Sequence, residues 1–189
     1  MKPLFYYRIK DKFLNVGAKW DKLAPTKEDA IEFAHKYINP EPQRYKEGQV
    51  FSWEYYLAHN GGSINDRFRQ DRPDKQDLDT VDMVAKNTTK IPIVVYRGVG
   101  EPVFKMMIKN AKNVDNVDLL EKSFLQTSLV KGCESTAHHH LRIYVPEGTQ
   151  AVYLGNVNDE QFYYEVDIQH GAKMKIVSMD DKYINCEII

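Results

Sequence analysis

The chain has 189 residues, of which 42% are apolar and 28% charged, with a net charge of −1. Such a chain can bury one hydrophobic core, so we expect a single domain over residues 1–189. The balanced charge argues against a nucleic-acid-binding protein, although it leaves room for a local basic patch. Cys133 and Cys186 lack CxxC spacing, so the sequence supports neither a disulfide framework nor a zinc site, and two reduced thiols are expected.

The N-terminal residues have no apolar run of signal-peptide type, and no segment approaches the ~20 apolar residues of a membrane span. We therefore expect a protein without a membrane partner that acts in a cytoplasm, either where it is made or in a target cell to which it is delivered. A monomer is the favoured state. Residues 1–22 are predicted to be an extra arm or strand.

Helical spacing of apolar residues dominates the chain up to residue 112. The pattern predicts helices around 30–38, 53–59, 64–69, 78–85 and 103–111. Asn60, Gly61 and Gly62 are expected to break the second helix, and Ser63 is expected to cap the third.

Strand-like runs dominate the rest of the chain. They cover residues 91–96, 123–129, 141–145, 151–154, 163–168, 173–177 and 183–189. Helices followed by short strands favour an α+β fold. We expect two mostly antiparallel sheets facing each other across a cleft, with the helices drawn from the N-terminal half.

Three of these runs carry polar side chains that suit one kind of chemistry. Arg97 ends the first strand, Thr127 and Ser128 lie in the second, and Glu165 lies in a later one. An arginine fork pairs with phosphate oxygens, and a carboxylate stabilises positive charge on a ribose that is losing its base. Neighbouring hydroxyls can orient that carboxylate. The set would suit cleavage of a dinucleotide at its glycosidic bond.

Between Ser63 and Val177 the same residues form a series of motifs. They are Ile64–Arg69, Tyr96-Arg97-Gly98, Phe124–Leu129, Val145–Thr149 with Ala151–Leu154, and Glu165–Ile176. In this order and spacing, the chain resembles the arginine–serine–glutamate class of mono-ADP-ribosyltransferases, which includes bacterial exotoxins and bacteriophage enzymes.

This resemblance implies a fold, a substrate and a set of site residues. The fold would be ADP-ribosyltransferase-like, NAD would be the substrate without any metal, and a protein would accept the ADP-ribose. The catalytic residues implied are Arg97, Thr127, Ser128 and Glu165. The NAD-binding residues implied are Asn65, Arg69 and Gly98, together with Arg97 and Glu165.

Two positions depart from the pattern of that class. Gln126 stands where the first serine of a Ser-Thr-Ser strand is usual. Tyr163 stands where a Glu or Gln helps to choose the acceptor, with Gln161 two residues upstream. We assign Tyr163 and Gln161 to acceptor recognition. The departure at 163 leaves open an NAD glycohydrolase and puts the identity of the acceptor, protein or nucleic acid, in doubt. A non-catalytic NAD-binding module of the same fold is a separate alternative, against which the presence of Arg97, Thr127, Ser128 and Glu165 argues.

The run His138-His139-His140 invites a metal site. Consecutive residues in a strand point to alternate faces, so three in a row cannot converge on one ion. A polar loop beside the cleft is the better interpretation, and no metal is expected.

Overall fold

The structure is a computed structural model that describes residues 2–43, 48, 50, 52–156 and 162–189. All helices within these ranges precede residue 112, as predicted. They are α1 (Leu4–Leu14), α2 (Val16–Trp20), a 3₁₀-helix (Asp21–Leu23), α3 (Ala30–Tyr37), α4 (Trp53–Arg69), α5 (Lys75–Val84) and α6 (Glu101–Ala111). None of the helices in the described ranges has the length and apolar content needed to cross a bilayer.

The seven predicted strands are present, and an eighth of two residues was too short to leave a sequence pattern. The strands are β1 (Ile93–Val99), β2 (Leu119–Leu120), β3 (Leu125–Ser128), β4 (His139–Val145), β5 (Ala151–Gly155), β6 (Glu165–Ile168), β7 (Lys173–Met179) and β8 (Tyr183–Ile188). Their order in the sheet is β2-β7-β8-β4-β1-β3-β6-β5. Only β4 and β8 pair in parallel among the described strands, which confirms a mostly antiparallel α+β fold.

The expected division into two sheets is not confirmed, because hydrogen bonds join all eight strands into one mixed sheet. β1 and β3 nevertheless share very few paired residues. β1 pairs with β4 at seven positions but with β3 at one, Tyr96 opposite Ser128. Since so little pairing holds β1 to β3, the two strands diverge, and a cavity opens at this point.

The predicted break at Gly61-Gly62 is wrong, because α4 runs through both glycines to Arg69. Its N-cap is Ser52, whose Oγ accepts a hydrogen bond from Tyr55 N at 3.1 Å. Two interior glycines cost about 1 kcal/mol each relative to alanine. Burial of Leu57, Ile64 and Phe68 on one face of the helix outweighs that cost.

The N-terminal residues form helices rather than the extra strand that we considered. α1 packs against β7. Tyr7 is buried in the main hydrophobic core, and the carboxylate of Asp11 accepts a hydrogen bond from Ser178 Oγ at 2.7 Å. α1 is therefore an integral layer on the sheet.

Candidate active site

A cavity of about 300 Å³ lies where β1 and β3 diverge. It brings together six of the residues predicted from the sequence: Arg97, Gly98, Thr127, Ser128, Tyr163 and Glu165. Ala58, Tyr96, Gln126, Glu134 and Ser135 complete the lining. Strands that are far apart in the chain thus place a cation and a carboxylate in one small space.

Arg97 is the buried cation of this cavity, with only 8% of its surface exposed. Its Nη2 donates to Glu121 Oε2 at 3.2 Å, whereas its Nη1 has no hydrogen-bond partner among the described residues. Burial lowers the pKa of Arg97, partly offset by the charge of Glu121. A buried N–H group without a partner is costly, so this donor is suited to an anionic ligand.

Glu121 holds the arginines in place and was not predicted from the sequence. Arg69 binds it with both ends of its fork, Nε to Oε1 at 3.1 Å and Nη2 to Oε2 at 2.9 Å. Burial would raise the pKa of Glu121, but hydrogen bonds from Arg69 and the charge of Arg97 outweigh it and lower that pKa. Arg69, predicted to contact NAD, does not line the cavity and is occupied by Glu121.

Glu165 is the carboxylate of the cavity, and a chain of side-chain amides connects it to α4. Asn65 Nδ2 donates to Gln126 Oε1 at 2.9 Å, and Gln126 Nε2 donates to Glu165 Oε1 at 3.4 Å. Burial raises the pKa of Glu165 to about 7, although hydrogen bonding opposes the shift. Gln126, the departure from the expected serine, is therefore the residue that contacts the carboxylate.

Gly61 makes room for that glutamine. A Cβ atom at residue 61 would lie 2.1 Å from Gln126 Nε2, far inside an ordinary contact distance. The adjacent Gly62 has nothing within 4 Å of the same position. The small residue on α4 and the large residue on β3 are thus sterically complementary.

The two predicted hydroxyl residues make other hydrogen bonds. Thr127 Oγ1 donates to the carbonyl of Val166 at 2.6 Å, which ties β3 to β6. Ser128 Oγ donates to the carbonyl of Val130 at 2.8 Å and accepts from Val130 N at 3.1 Å. Both residues line the cavity, but neither side chain has a hydrogen bond to Glu165 among those described.

A second carboxyl group, that of Asp167, lies two residues further along β6. Side chains two apart in a strand point to the same face, so Asp167 and Glu165 are neighbours. Asp167 is fully buried, and among the described residues neither of its oxygens has a partner at ordinary hydrogen-bond geometry, although the Glu165 carboxyl is close enough to affect its pKa. Burial, followed by the charge of Glu165, raises the pKa of Asp167. Two close buried carboxyls disfavour full ionisation, which predicts that the pair retains a proton near neutral pH.

A family model described as ADP-ribosyltransferase exoenzyme matches residues 41–186, which include every strand of the cavity. The chain belongs to the ADP-ribosyltransferase exoenzyme family. This confirms the resemblance to the arginine–serine–glutamate class. A sequence search of curated proteins gave no match.

Solved structures of similar fold agree with this assignment. The C3 exoenzyme of Clostridium limosum matches with a TM-score of 0.63 and 15% identity, over 88% of this chain and 96% of that one. Plx2a, an ADP-ribosyltransferase toxin from Paenibacillus larvae, matches with a TM-score of 0.62 and 18% identity, over 86% and 96%. C3stau2 from S. aureus, solved with NAD, matches with a TM-score of 0.57 and 15% identity, over 79% and 99%.

In this ADP-ribosyltransferase a polar loop between β3 and β4 closes one side of the cavity. A Cβ atom at Gly98 would lie 1.8 Å from the carbonyl oxygen of Ser135, so glycine is required for the loop to approach β1. Glu134 accepts hydrogen bonds from Tyr183 Oη at 2.7 Å and Gly132 N at 2.7 Å. Gly98 was assigned to NAD binding from the sequence, and the structure adds that Ser135 of this loop lies against it.

The histidine run was predicted to be a polar loop, but two of its three residues, His139 and His140, begin β4 and contact other side chains. His139 stacks on Phe104 and contacts Glu101, and His140 contacts Glu134 at 3.1 Å. No cluster of side chains among the described residues has the makeup of a metal site.

Tyr163 lines the cavity beside Glu165. The next residue, Tyr164, has a left-handed backbone with φ of 49°, which is unfavourable for a bulky side chain. Hydrogen bonds hold it there: Tyr164 N donates to Asn156 Oδ1 at 3.0 Å, and Leu129 N donates to the Tyr164 carbonyl at 2.9 Å. These two hydrogen bonds fix the backbone between Tyr163 and the first residue of β6, Glu165. Gln161, the other predicted acceptor residue, lies outside the described residues.

Proposed function

We propose that the protein cleaves NAD at its nicotinamide–ribose bond and transfers the ADP-ribose to a protein acceptor in the cytoplasm of a target cell. The observation that carries this proposal is the placement of Arg97, with an unpartnered N–H group, and Glu165 in the same cavity. The NAD bound in the S. aureus relative supports the choice of substrate. A single domain over 1–189 and a monomeric state remain predictions.

The residues of the cavity fit the two ends of this substrate. Arg97 supplies an N–H donor and a positive charge for the pyrophosphate, and Glu121 keeps its guanidinium in position. Asn65, assigned to NAD binding from the sequence, is not among the residues that line the cavity, and its amide supports the site by donating to Gln126. We continue to assign Gly98 to the NAD site. We assign Arg69 a supporting role outside the cavity, in which it neutralises the charge of Glu121.

Glu165 acts in its ionised form. As the glycosidic bond to nicotinamide breaks, the carboxylate stabilises the positive charge that develops on the ribose. Gln126 holds one carboxylate oxygen, so the group is oriented before the substrate binds. With a pKa of about 7, Glu165 is only partly ionised near neutral pH in the free protein. A substrate that brings a positive charge beside it favours the ionised form, and Asp167 then keeps the proton of the pair.

The acceptor completes the reaction by attacking C1′ of the ribose. A nucleophilic side chain of the acceptor forms the new glycosidic bond and loses its proton, while nicotinamide leaves. Tyr163 lines the cavity in which this step takes place. Because it supplies neither the carboxylate nor the amide usual at that position, water is the second candidate acceptor, which would make the protein an NAD glycohydrolase.

One experiment separates these functions and tests Glu165. Purified protein is incubated with labelled NAD and host-cell lysate, and both released nicotinamide and labelled macromolecules are measured. We expect Glu165→Gln to reduce nicotinamide release by ~10²–10³, because only the transition-state charge is lost. Tyr163→Ala should retain hydrolysis but change or abolish protein labelling.

Four results would contradict parts of this scheme. Nicotinamide release at the wild-type rate by folded Glu165→Gln would refute the mechanism. Consumption of NAD without any labelled macromolecule would favour the glycohydrolase, and label on nucleic acid would identify a different acceptor. A wild-type protein that neither binds nor consumes NAD would be a non-catalytic member of the family.

A further inference from the structure

α1 has one face in the core and an opposite face in solvent. Tyr7, Leu4 and Asp11 are directed towards the sheet and its core. Phe5, Ile9 and Phe13, spaced four residues apart, lie on the other side and are 72%, 44% and 84% exposed. Tyr6, also largely exposed, extends this stripe. We call Phe5, Tyr6, Ile9 and Phe13 the α1 outer face.

Basic side chains border the α1 outer face on both sides. At roughly 100° per residue, Arg8 and Lys12 follow one edge of the stripe and Lys10 follows the other. Beyond Lys10, a groove of about 920 Å³ separates α1 from α6. The chain as a whole carries a charge of −1, so these basic residues are a local concentration of positive charge.

The groove continues the basic border. Six lysines line it against two aspartates, Asp115 and Asp118: Lys2, Lys10, Lys105, Lys109, Lys112 and Lys175. Lys105 pairs with Glu101 at 3.0 Å. Within the part of the chain that the structure describes, Lys10, Lys109 and Lys112 have no ion-pair partner. Their charges are therefore available to an anionic surface.

We propose that the α1 outer face docks the protein on the surface of a membrane that contains anionic lipids. A stripe of phenylalanine and isoleucine enters the boundary between headgroups and acyl chains, while the flanking lysines contact the headgroups. With 11 residues, α1 is ~16 Å long, about half of the hydrocarbon thickness, so it lies in the plane of the membrane. This proposal departs from the sequence expectation of no membrane partner, which rested on the absence of an apolar run long enough to span a bilayer.

The charge and the apolar side chains of this face argue against two other partners, a second copy of the chain and an acidic peptide. A second copy of the chain would bring two basic borders together, and like charges at close range oppose association. An acidic peptide would satisfy the lysines but would leave the exposed phenylalanines without an apolar partner. The proposal uses no residue of the cavity and stands independently of the proposed function.

The test is co-sedimentation of the full chain with vesicles of phosphatidylcholine alone and of phosphatidylcholine with about one third phosphatidylserine, at low and high salt. We expect binding to the anionic vesicles that weakens as salt is added. Replacing both phenylalanines, Phe5→Ser with Phe13→Ser, should weaken binding at least about tenfold. Replacing Lys10, Lys109 and Lys112 by glutamine should weaken it roughly fivefold per lysine.

Leu78→Ser is the matched control, because Leu78 is a half-exposed apolar residue on α5. It should bind like the wild type, and thermal unfolding checks that all variants are folded. No binding to anionic vesicles, or equal binding by the phenylalanine variant, would overturn the proposal. A dimer in solution that Phe5→Ser and Phe13→Ser dissolve would also overturn it, since the face would then be covered by a second copy.

Discussion

Replacement of Gly61 by alanine tests whether Gln126 positions Glu165. A Cβ atom at residue 61 would lie 2.1 Å from Gln126 Nε2, whereas ordinary contacts begin near 3.4 Å. The amide must therefore retreat by roughly 1.3 Å. In this displaced position the Gln126 amide cannot keep both the hydrogen bond from Asn65 at 2.9 Å and the contact with Glu165 at 3.4 Å.

The size of the effect follows from the contact that is lost. Hydrogen bonds to a charged group contribute about 1.5–3 kcal/mol, and a long bond of 3.4 Å belongs at or below the lower end. A loss of about 1.4 kcal/mol in the transition state is a tenfold loss in rate. We expect Gly61→Ala to lower the turnover of nicotinamide release about tenfold, with a smaller change in the KM for NAD.

Gly62→Ala is the matched control, since nothing lies within 4 Å of its new Cβ. It should leave turnover unchanged and stabilise α4 by about 0.5–1 kcal/mol, the usual gain from alanine in a helix. The double variant Gly61→Ala with Gln126→Ser should be no slower than Gln126→Ser alone, because both changes act through one side chain. Equal turnover of Gly61→Ala and Gly62→Ala, or strictly additive losses in the double variant, would refute this account.

Two further predictions concern the charged residues. Arg97→Ala should raise the Kd for NAD about 10- to 100-fold by calorimetric titration, because a charge-assisted donor is lost, whereas the exposed Arg72→Ala should bind NAD like the wild type. Asp167→Asn should raise the unfolding temperature at pH 8, with a difference that shrinks towards pH 5. The sign follows from the raised pKa values of Asp167 and Glu165: ionisation is costlier in the folded protein, so their contribution to stability falls as pH rises. A stabilisation that grows towards pH 5 would contradict the buried carboxyl pair.

Several features of this protein could be predicted from the sequence because they depend on local patterns. Seven strands were recognised from β-branched and alternating residues, and α5 and α6 from apolar residues at helical spacing. Arg97 and Glu165 stood out because an arginine suits phosphate oxygens and a carboxylate suits a ribose that gains positive charge. Their separation in the chain followed a family pattern, which indicated that they would meet.

Contacts between distant segments could not be predicted in this way. Glu121 binds side chains that lie 52 and 24 residues before it, and nothing near it in the sequence marks it as their partner. From the sequence, Gln126 was interpreted only as the loss of a usual serine. In the structure it bridges α4 and Glu165, because Gly61 leaves room for its side chain. The single junction of β1 with β3 likewise depends on pairing rather than on the composition of either strand.

The sequence by itself determined which segments are helices and strands over most of the chain, and which strands carry the cation and the carboxylate. Local propensity and side-chain periodicity are properties of a short segment, so they can be read without knowing its neighbours. Only the tertiary structure decided that α4 continues through two glycines and that α1 is a helix with an exposed apolar face. It also decided that Gln126 contacts Glu165 and that the buried Glu121 holds Arg69 and Arg97 in position. For the helices, burial against another segment outweighs the local preference, and the free energy of that burial depends on residues far away in the chain. For the two polar residues, the partners of their hydrogen bonds likewise lie in distant segments.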